Sequence, residues 1–394
     1  MKKRIIGLML AIVTVLTLSA PFAVSANSEP PTTELGDIVS TNVEYFPEYG
    51  FTITEEMDVD NRIMLTLERE ELSARELRNL DIEQVAYDTL TMLGFNQETI
   101  DSLNAKQFEA FATSTYIVTN VTYTRQDNLG NEIILTPEEA YDIAEWENSG
   151  ENKIDIFPPS PLQSMQQSGF MALSGGAVDV AWVHGIRMQV GNGVLNLRHT
   201  AARHINDRER YSFITEINWL SMPQRRNIDS IGSIATDMRV AGTPVARYSF
   251  DQTRWTSVAI GPITQRIQRT APVTFQNHGQ FMGHAATINI PHDWNNNWIL
   301  DYASHNRLNA SIVWDGRIST PNQVVNFNSI GSYHHDNRIH AFGSTSISIS
   351  LSIPNSPLSV SIGIPISGGN ILVLGATLLV RHDPNWRPPT HPGW

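Results

Sequence analysis

An α+β N-terminal region followed by a mainly-β domain, antiparallel and β-sandwich-like, is the fold class the sequence predicts. Three observations lead there. Capped helical patterns alternate with strand patterns up to about Glu147. Beyond Ala177 the chain reads as short strands separated by turn residues. Charge and residue usage change sharply between these two regions.

The elements follow in order. Lys2, Lys3 and Arg4 precede an apolar run from Ile5 to Leu18, and Val24-Ser25-Ala26 stands before Asn27. This is the layout of a secretory signal peptide, residues 1–26, cleaved after Ala26. Pro21 interrupts the apolar stretch, which argues against a retained membrane anchor. The 394 residues include no cysteine. That excludes a lipoprotein anchor, disulfides, cysteine-bearing zinc sites, iron–sulfur clusters and cysteine nucleophiles. A secreted, extracellular protein of a Gram-positive exterior is the expectation.

Residues 27–147 are expected to form an acidic α+β domain. Ser73 with Glu76 reads as a capping box. From Asp81, the residues Ile82, Val85, Ala86, Leu90 and Leu93 share one helical face, and Gly94 is a stop. Asn104 caps a short helix carrying Phe108 and Phe111. Ile117, Thr119, Val121 and Tyr123 alternate as a strand, Asp127 to Asn131 is a turn, and Ile133 to Leu135 returns. Thr136-Pro137-Glu138-Glu139 starts a further helix, with proline and carboxylates at its positive end.

Residues 148–176, rich in Gly, Pro, Ser and Gln, read as a linker. Residues 177–382 are the expected antiparallel β domain, and 383–394 a polar, Pro-rich flexible tail. Strands are expected at Ala177–Val190, Tyr211–Leu220, Val245–Phe250, Trp255–Ile260, Ala285–Ile290, Leu308–Trp314, Thr345–Ile353, Leu358–Ile366 and Ile371–Val380. The last, uninterruptedly apolar, reads as a central strand buried on both faces.

The formal net charge of −13 describes neither region. Residues 27–160 carry 28 acidic and 7 basic residues, whereas residues 161–394 carry 12 and 17, every base there being arginine. All 12 histidines lie in the second region. The acidic balance and the export signal argue against a nucleic-acid partner.

Leu93-Gly94-Phe95 with Ile100, Leu103 and Phe108, the Ser114–Thr124 strand, Gly130-Asn131 and Leu135-Thr136-Pro137-Glu138-Glu139-Ala140 form one familiar stretch. Trp219-Leu220-Ser221-Met222-Pro223 with Arg225, Arg226, Asp229, Ile231 and Gly232 form another. Together, over about a third of the chain, they resemble a group of uncharacterised exported proteins of Gram-positive bacteria. The resemblance implies secretion and a helix-then-strand layout, and no activity or site residue.

Candidate chemistry is sparse. His334, His335, Asp336 and His340 are the densest set of metal-ligating residue types, although the spacing is not that of a helical zinc motif. Neighbours on a strand would point to opposite faces, and Tyr333 to Arg338, lying between strand candidates, reads as a polar turn. Trp294 and Trp298, set among Asp293 and Asn295 to Asn297, with Trp314 and Asp315, are candidates for sugar recognition by ring stacking and hydrogen bonding; equally they read as core anchors. In Ser344 to Ser367, Ile347, Ile349, Leu351 and Ile353, then Leu358, Val360, Ile362, Ile364 and Ile366, alternate with small residues, mostly serine. That is an amphipathic hairpin of nearly bilayer-spanning length.

The leading expectation is a non-catalytic binding or structural protein acting on extracellular polysaccharide or the cell envelope without a cofactor. A membrane-active β-hairpin protein and a secreted hydrolase with an acidic pro-segment are the alternatives.

Overall fold

The computed structural model describes residues 37–69, 72–126, 132–148, 193–223, 228–255, 262–278, 281–289, 294–296, 301–336, 346–352, 359–365, 371–382 and 384. They are mostly strand, arranged in two large antiparallel sheets with few helices. The chain runs β1 (Ile38–Phe46), β2 (Phe51–Asp58), β3 (Ile63–Arg69), α1 (Ala74–Asn79), α2 (Ile82–Met92), α3 (Gln97–Ile100), α4 (Ala105–Thr113), β4 (Tyr116–Gln126), β5 (Glu132–Leu135) and α5 (Pro137–Asn148). It continues with β6 (Val194–Arg203), β7 (Arg210–Ser221), β8 (Ile228–Thr236), β9 (Met238–Trp255), β10 (Pro262–Thr270), β11 (Val273–His278), β12 (Phe281–Asn289), β13 (Trp294–Asn296), β14 (Asp301–Ile318), β15 (Val325–Asp336), β16 (Ser346–Ser352), β17 (Ser359–Pro365) and β18 (Ile371–His382).

The helices begin and end where their polar residues dictate. The Ser73 hydroxyl accepts from the Glu76 amide and the Glu76 carboxylate accepts from the Ser73 amide, closing the expected capping box of α1. The Asp81 carboxylate caps α2 by accepting from the Gln84 amide at 3.2 Å. At the other end, Phe95 N–H donates to the Leu90 carbonyl (3.0 Å) and Gly94 N–H to that of Thr91 (2.9 Å). This closure needs a left-handed residue, and Gly94 supplies it at φ +82°. Asn104 and Gln107 form a second capping box at α4, and Thr136 with Glu139 ties off α5.

The larger sheet has 11 strands, with the path β1-β2-β3-β4-β6-β7-β14-β9-β10 and with β5 and β13 added to β4 and β14. The smaller, β11-β12-β8-β15-β18, has five. Because side chains alternate along a strand, each strand at the centre of the large sheet serves two layers. Ile117, Ala202, Ile214 and Val313 pack with Leu90, Leu93 and Phe111 of the helical layer. Their chain neighbours Val118, Ala201, Phe213 and Trp314 pack instead with Ala235, Phe327 and Leu378 of the small sheet. The large sheet is therefore covered by α2 and α4 on one face and by the small sheet on the other.

The composition break at 148–176 does not separate two sheets. β4, from the acidic region, pairs with β6 from Ile117 opposite Ala202 to Thr124 opposite Leu195. All described residues belong to one compact unit, residues 31–394. Residues 149–176 and 385–394, the Ala177–Val190 strand and the 127–131 turn lie outside the described residues.

Two expectations are corrected. The segment around Tyr333 is not a turn: Val325–Asp336 is one strand, held between β8 and β18. Among the described residues the Ile371–Val380 run is not central either. β18 pairs with β15 alone among the described residues, and its apolar Ala376, Leu378 and Val380 face the large sheet.

Candidate functional site

Two buried carboxylates on the helix-facing side of the large sheet hold the helical layer. Asp315 on β14 lies directly opposite Ser212 on β7. Its carboxylate accepts from the Ser212 hydroxyl at 2.7 Å and from the Gln107 amide of α4 at 3.2 Å, and it pairs with the Arg210 guanidinium. Glu216 lies further along β7. It accepts from both the backbone and side-chain amides of Asn96, the N-cap of α3, at 3.1 and 3.2 Å, with Arg198 at 3.8 Å. Burial pushes the Glu216 carboxyl up, and Arg198 and the hydrogen bonds from Thr99, Asn96 and Asn309 oppose that rise.

His204, Ser212 and Asp315 together have the residue types of a hydrolase triad, but their hydrogen bonds run the other way. Ser212 gives its single proton to Asp315, so its contact with His204 Nε2 at 2.9 Å must be one in which the imidazole donates. A nucleophile needs a base that accepts its proton. Here the serine is a relay between a donor and an acid, and all three residues are buried. Burial also drives the His204 pKa down to about 4, although Asp315 pulls it up. The imidazole is neutral near pH 7.

A second polar set joins the two sheets. Trp219 Nε1 donates to the Tyr333 hydroxyl (3.0 Å), which donates to Asp229; His335 Nδ1 lies 2.9 Å from the same carboxylate. Burial, reinforced by the Asp229 charge, raises the Tyr333 pKa well above the usual phenol value. Trp314 Nε1 donates to Ser233 at 2.7 Å, and His199 sits between Thr215 and Ser329. Gly331 makes this spacing possible, since a Cβ there would lie 2.7 Å from His199 Cβ.

The face of the small sheet turned away from the large one carries a third group. His334 on β15 stands opposite Ser230 on β8. Both imidazole nitrogens of His334, and the hydroxyls of Ser230 and Ser332, are buried without hydrogen-bond partners among the described residues. Burial pushes the His334 pKa to about 3, so the ring is neutral.

The expected sites divide as follows. Trp314 is 0% exposed and stacks on Phe213 with ring centroids 4.6 Å apart. Asp315 is 3% exposed and turned to the opposite face of the sheet. Neither stands on a surface a sugar reaches; of the two alternatives read from sequence, Trp314 is the core anchor. Trp294 lies on β13, paired with Ala303, and only its backbone is described; Trp298 lies outside the described residues. His334 and His335 point to opposite faces of β15, His335 towards Asp229 and His334 away, so the two do not share a ligand set. Only the backbone of Asp336 is described, and His340 lies outside the described residues. Among the described residues no group of three or more His, Cys, Asp or Glu could hold a metal ion.

Of the hairpin expected at 344–367, the two strands Ser346–Ser352 and Ser359–Pro365 are described. β16 and β17 pair antiparallel, with Ile347 opposite Ile364, Ile349 opposite Ile362 and Leu351 opposite Val360. Ser350 stands opposite Ser361 and Ser352 opposite Ser359. Among the described residues these strands pair only with each other. No described helix is long and apolar enough to cross a membrane.

Sequence reasoning missed Glu216, placed Asp315 with a sugar-binding surface and gave Asp229 no role of its own. Each sits one residue from a large apolar side chain or a histidine-bearing strand partner, a context that signals burial only once the strand pairing is known. No known protein-family model matches the chain, and no curated protein matches it either.

Proposed function

We propose that the chain is a secreted, non-catalytic binding or structural protein of the bacterial exterior, directed at extracellular polysaccharide or envelope and needing no cofactor. In this reading the fold is sandwich-like, with its N-terminal α+β part built into the large sheet. The observation that carries it is the polarity of the His204–Ser212–Asp315 chain, where the serine proton is held by the acid and the histidine donates. Asp315, Glu216 and Tyr333 each tie one layer to another. A removable acidic pro-segment fits poorly, because loss of residues 27–147 would strip β1 to β5 from the sheet and uncover Ile214 and Val313.

Cell-wall pulldown and glycan-array binding of the purified protein test this reading. Binding that falls at least tenfold in Trp294→Ala or Trp298→Ala supports it; binding unchanged in both removes the tryptophan surface.

A second reading, membrane action by the β16–β17 hairpin, is favoured by its register, which sets apolar residues opposite apolar ones and serines opposite serines. Dye release from liposomes over a range of lipids and pH values tests it. No release under any condition rejects it.

A further inference from the structure

The two edges of the large sheet are open and unlike. β1 pairs only with β2, and β10 only with β9, among the described residues. Among the described residues each edge therefore presents a row of backbone donors and acceptors with no strand beside it. The layers that cover the middle of the sheet reach them only in part, through Phe46 of β1 and through Ile267 and Arg266 of β10. β1 is exposed from Ile38 to Tyr45, with Val43 at 61% and Tyr45 at 64%. β10 is exposed along nearly its whole length, with Ile263 at 53%.

The usual devices that blunt an edge are missing from β1. Its sequence, IVSTNVEYF, has no Pro, Gly, Lys or Arg and a single charge, Glu44. β-branched and aromatic residues dominate it, the composition that pairs most readily with another strand. Its charged surroundings are of one sign. Residues 37–60 include seven acidic residues and no basic one. Residues 247–270, which carry β10 and the strand beside it, include four arginines and one aspartate. Arg266 is tied to Glu98 and Asp251, whereas Arg269 lies exposed at the edge.

We propose that the partner of this sheet is a second copy of the chain, with β1 of one molecule adding to β10 of the next. Charge selects this arrangement. Two β1 edges would bring two acidic hairpins together, and two β10 edges two arginine-rich ones; only unlike edges attract. An interface that joins different edges is head-to-tail and does not close on itself at two copies, so it propagates as a linear filament. Every neighbouring pair on the nine-strand path is antiparallel, so β1 and β10 point the same way. Simple translation of one copy therefore gives a parallel junction, and a two-fold screw along the filament an antiparallel one. Both satisfy the open backbone rows. The pairing involves the sheet edges alone and does not depend on what other surfaces bind.

Light scattering and electron microscopy of the purified protein against concentration and salt provide the test, with charge-swapped edges as the control. Val43→Lys with Tyr45→Lys reverses the β1 edge, and Ile263→Glu with Arg269→Glu reverses the β10 edge. All four positions are exposed, and unchanged thermal unfolding verifies the fold of each variant. The expected result is filaments from the unaltered protein that shorten in high salt, monomers from each variant alone, and filaments again when the two variants are mixed. Three results overturn the proposal: a monomer at every concentration, a β10-edge variant that still dimerises by itself, or a mixture of variants that stays monomeric. None of these bears on polysaccharide binding, which is read separately.

Discussion

Asp315→Ala is the sharpest perturbation of the internal ties. The substitution removes the acceptor of three donors at once: the Arg210 guanidinium, the Ser212 hydroxyl and the Gln107 amide. The Arg210 side chain is only 13% exposed, so water does not replace the lost partner. Removing one member of a buried ion pair costs about 3–5 kcal/mol, because the other charge stays buried and uncompensated. Gln107 also closes the α4 capping box, so the helix start loosens with it. Urea unfolding followed by tryptophan fluorescence reads the change, and the expected loss is about 4 kcal/mol. The double variant Arg210→Met/Asp315→Ala should recover at least half of it, since the orphaned charge is then gone. A loss below about 1 kcal/mol, or a double variant no better than the single one, would show that Asp315 is not a structural tie and would refute the reasoning.

Two further outcomes are expected. Burial depresses the pKa of four histidines, His199 and His334 to about 3 and His204 and His284 to about 4. The unfolded chain thus binds more protons than the fold below the ordinary histidine value of about 6.5, and stability falls as pH drops from there towards 4. Glu147 and Glu216, raised by burial, act with the opposite sign above the ordinary carboxylate value and flatten the slope. Unfolding free energy measured against pH should show His334→Asn reducing the proton uptake by about one; an unchanged slope counts against a buried neutral His334. Gly283→Ala should destabilise the protein by about 1–3 kcal/mol through overpacking, because the added Cβ meets the Ser233 carbonyl and lies 2.6 Å from Ile234 Cα. An unfolding midpoint equal to that of the unaltered protein would contradict the close β8–β12 approach.

Helix boundaries were legible because capping is local. Ser73, Asp81, Gly94, Asn104 and Thr136 each act within four residues of themselves, so their signals survive without knowledge of the fold. Strands such as β7, β12 and β14 were legible from apolar residues and β propensity. β6 and β15 were not. Both are internal strands, yet they carry His199, Thr200, Ser329, Ser332, His334 and His335 at buried positions. A polar residue at a core position breaks the alternation on which a strand is recognised, and for His199 and Ser329 the explanation is each other, across the two sheets. The edges β1 and β10 escaped for the opposite reason: exposed on nearly every residue, they have no buried face to impose a pattern.

The sequence by itself determined local matters: helix starts and stops, the Ser-rich hairpin's alternation, the absence of cysteine and the contrast in charge along the chain. Each depends on neighbours a few residues apart or on composition alone. The tertiary structure decided which charges are internal, that the acidic and basic regions share one sheet, and that Trp314 is core while β1 and β10 are open edges. Those properties belong to pairings between residues as distant as Gln107 and Asp315. Burial and hydrogen-bond direction exist only once such residues meet, and no spacing along the chain encodes them.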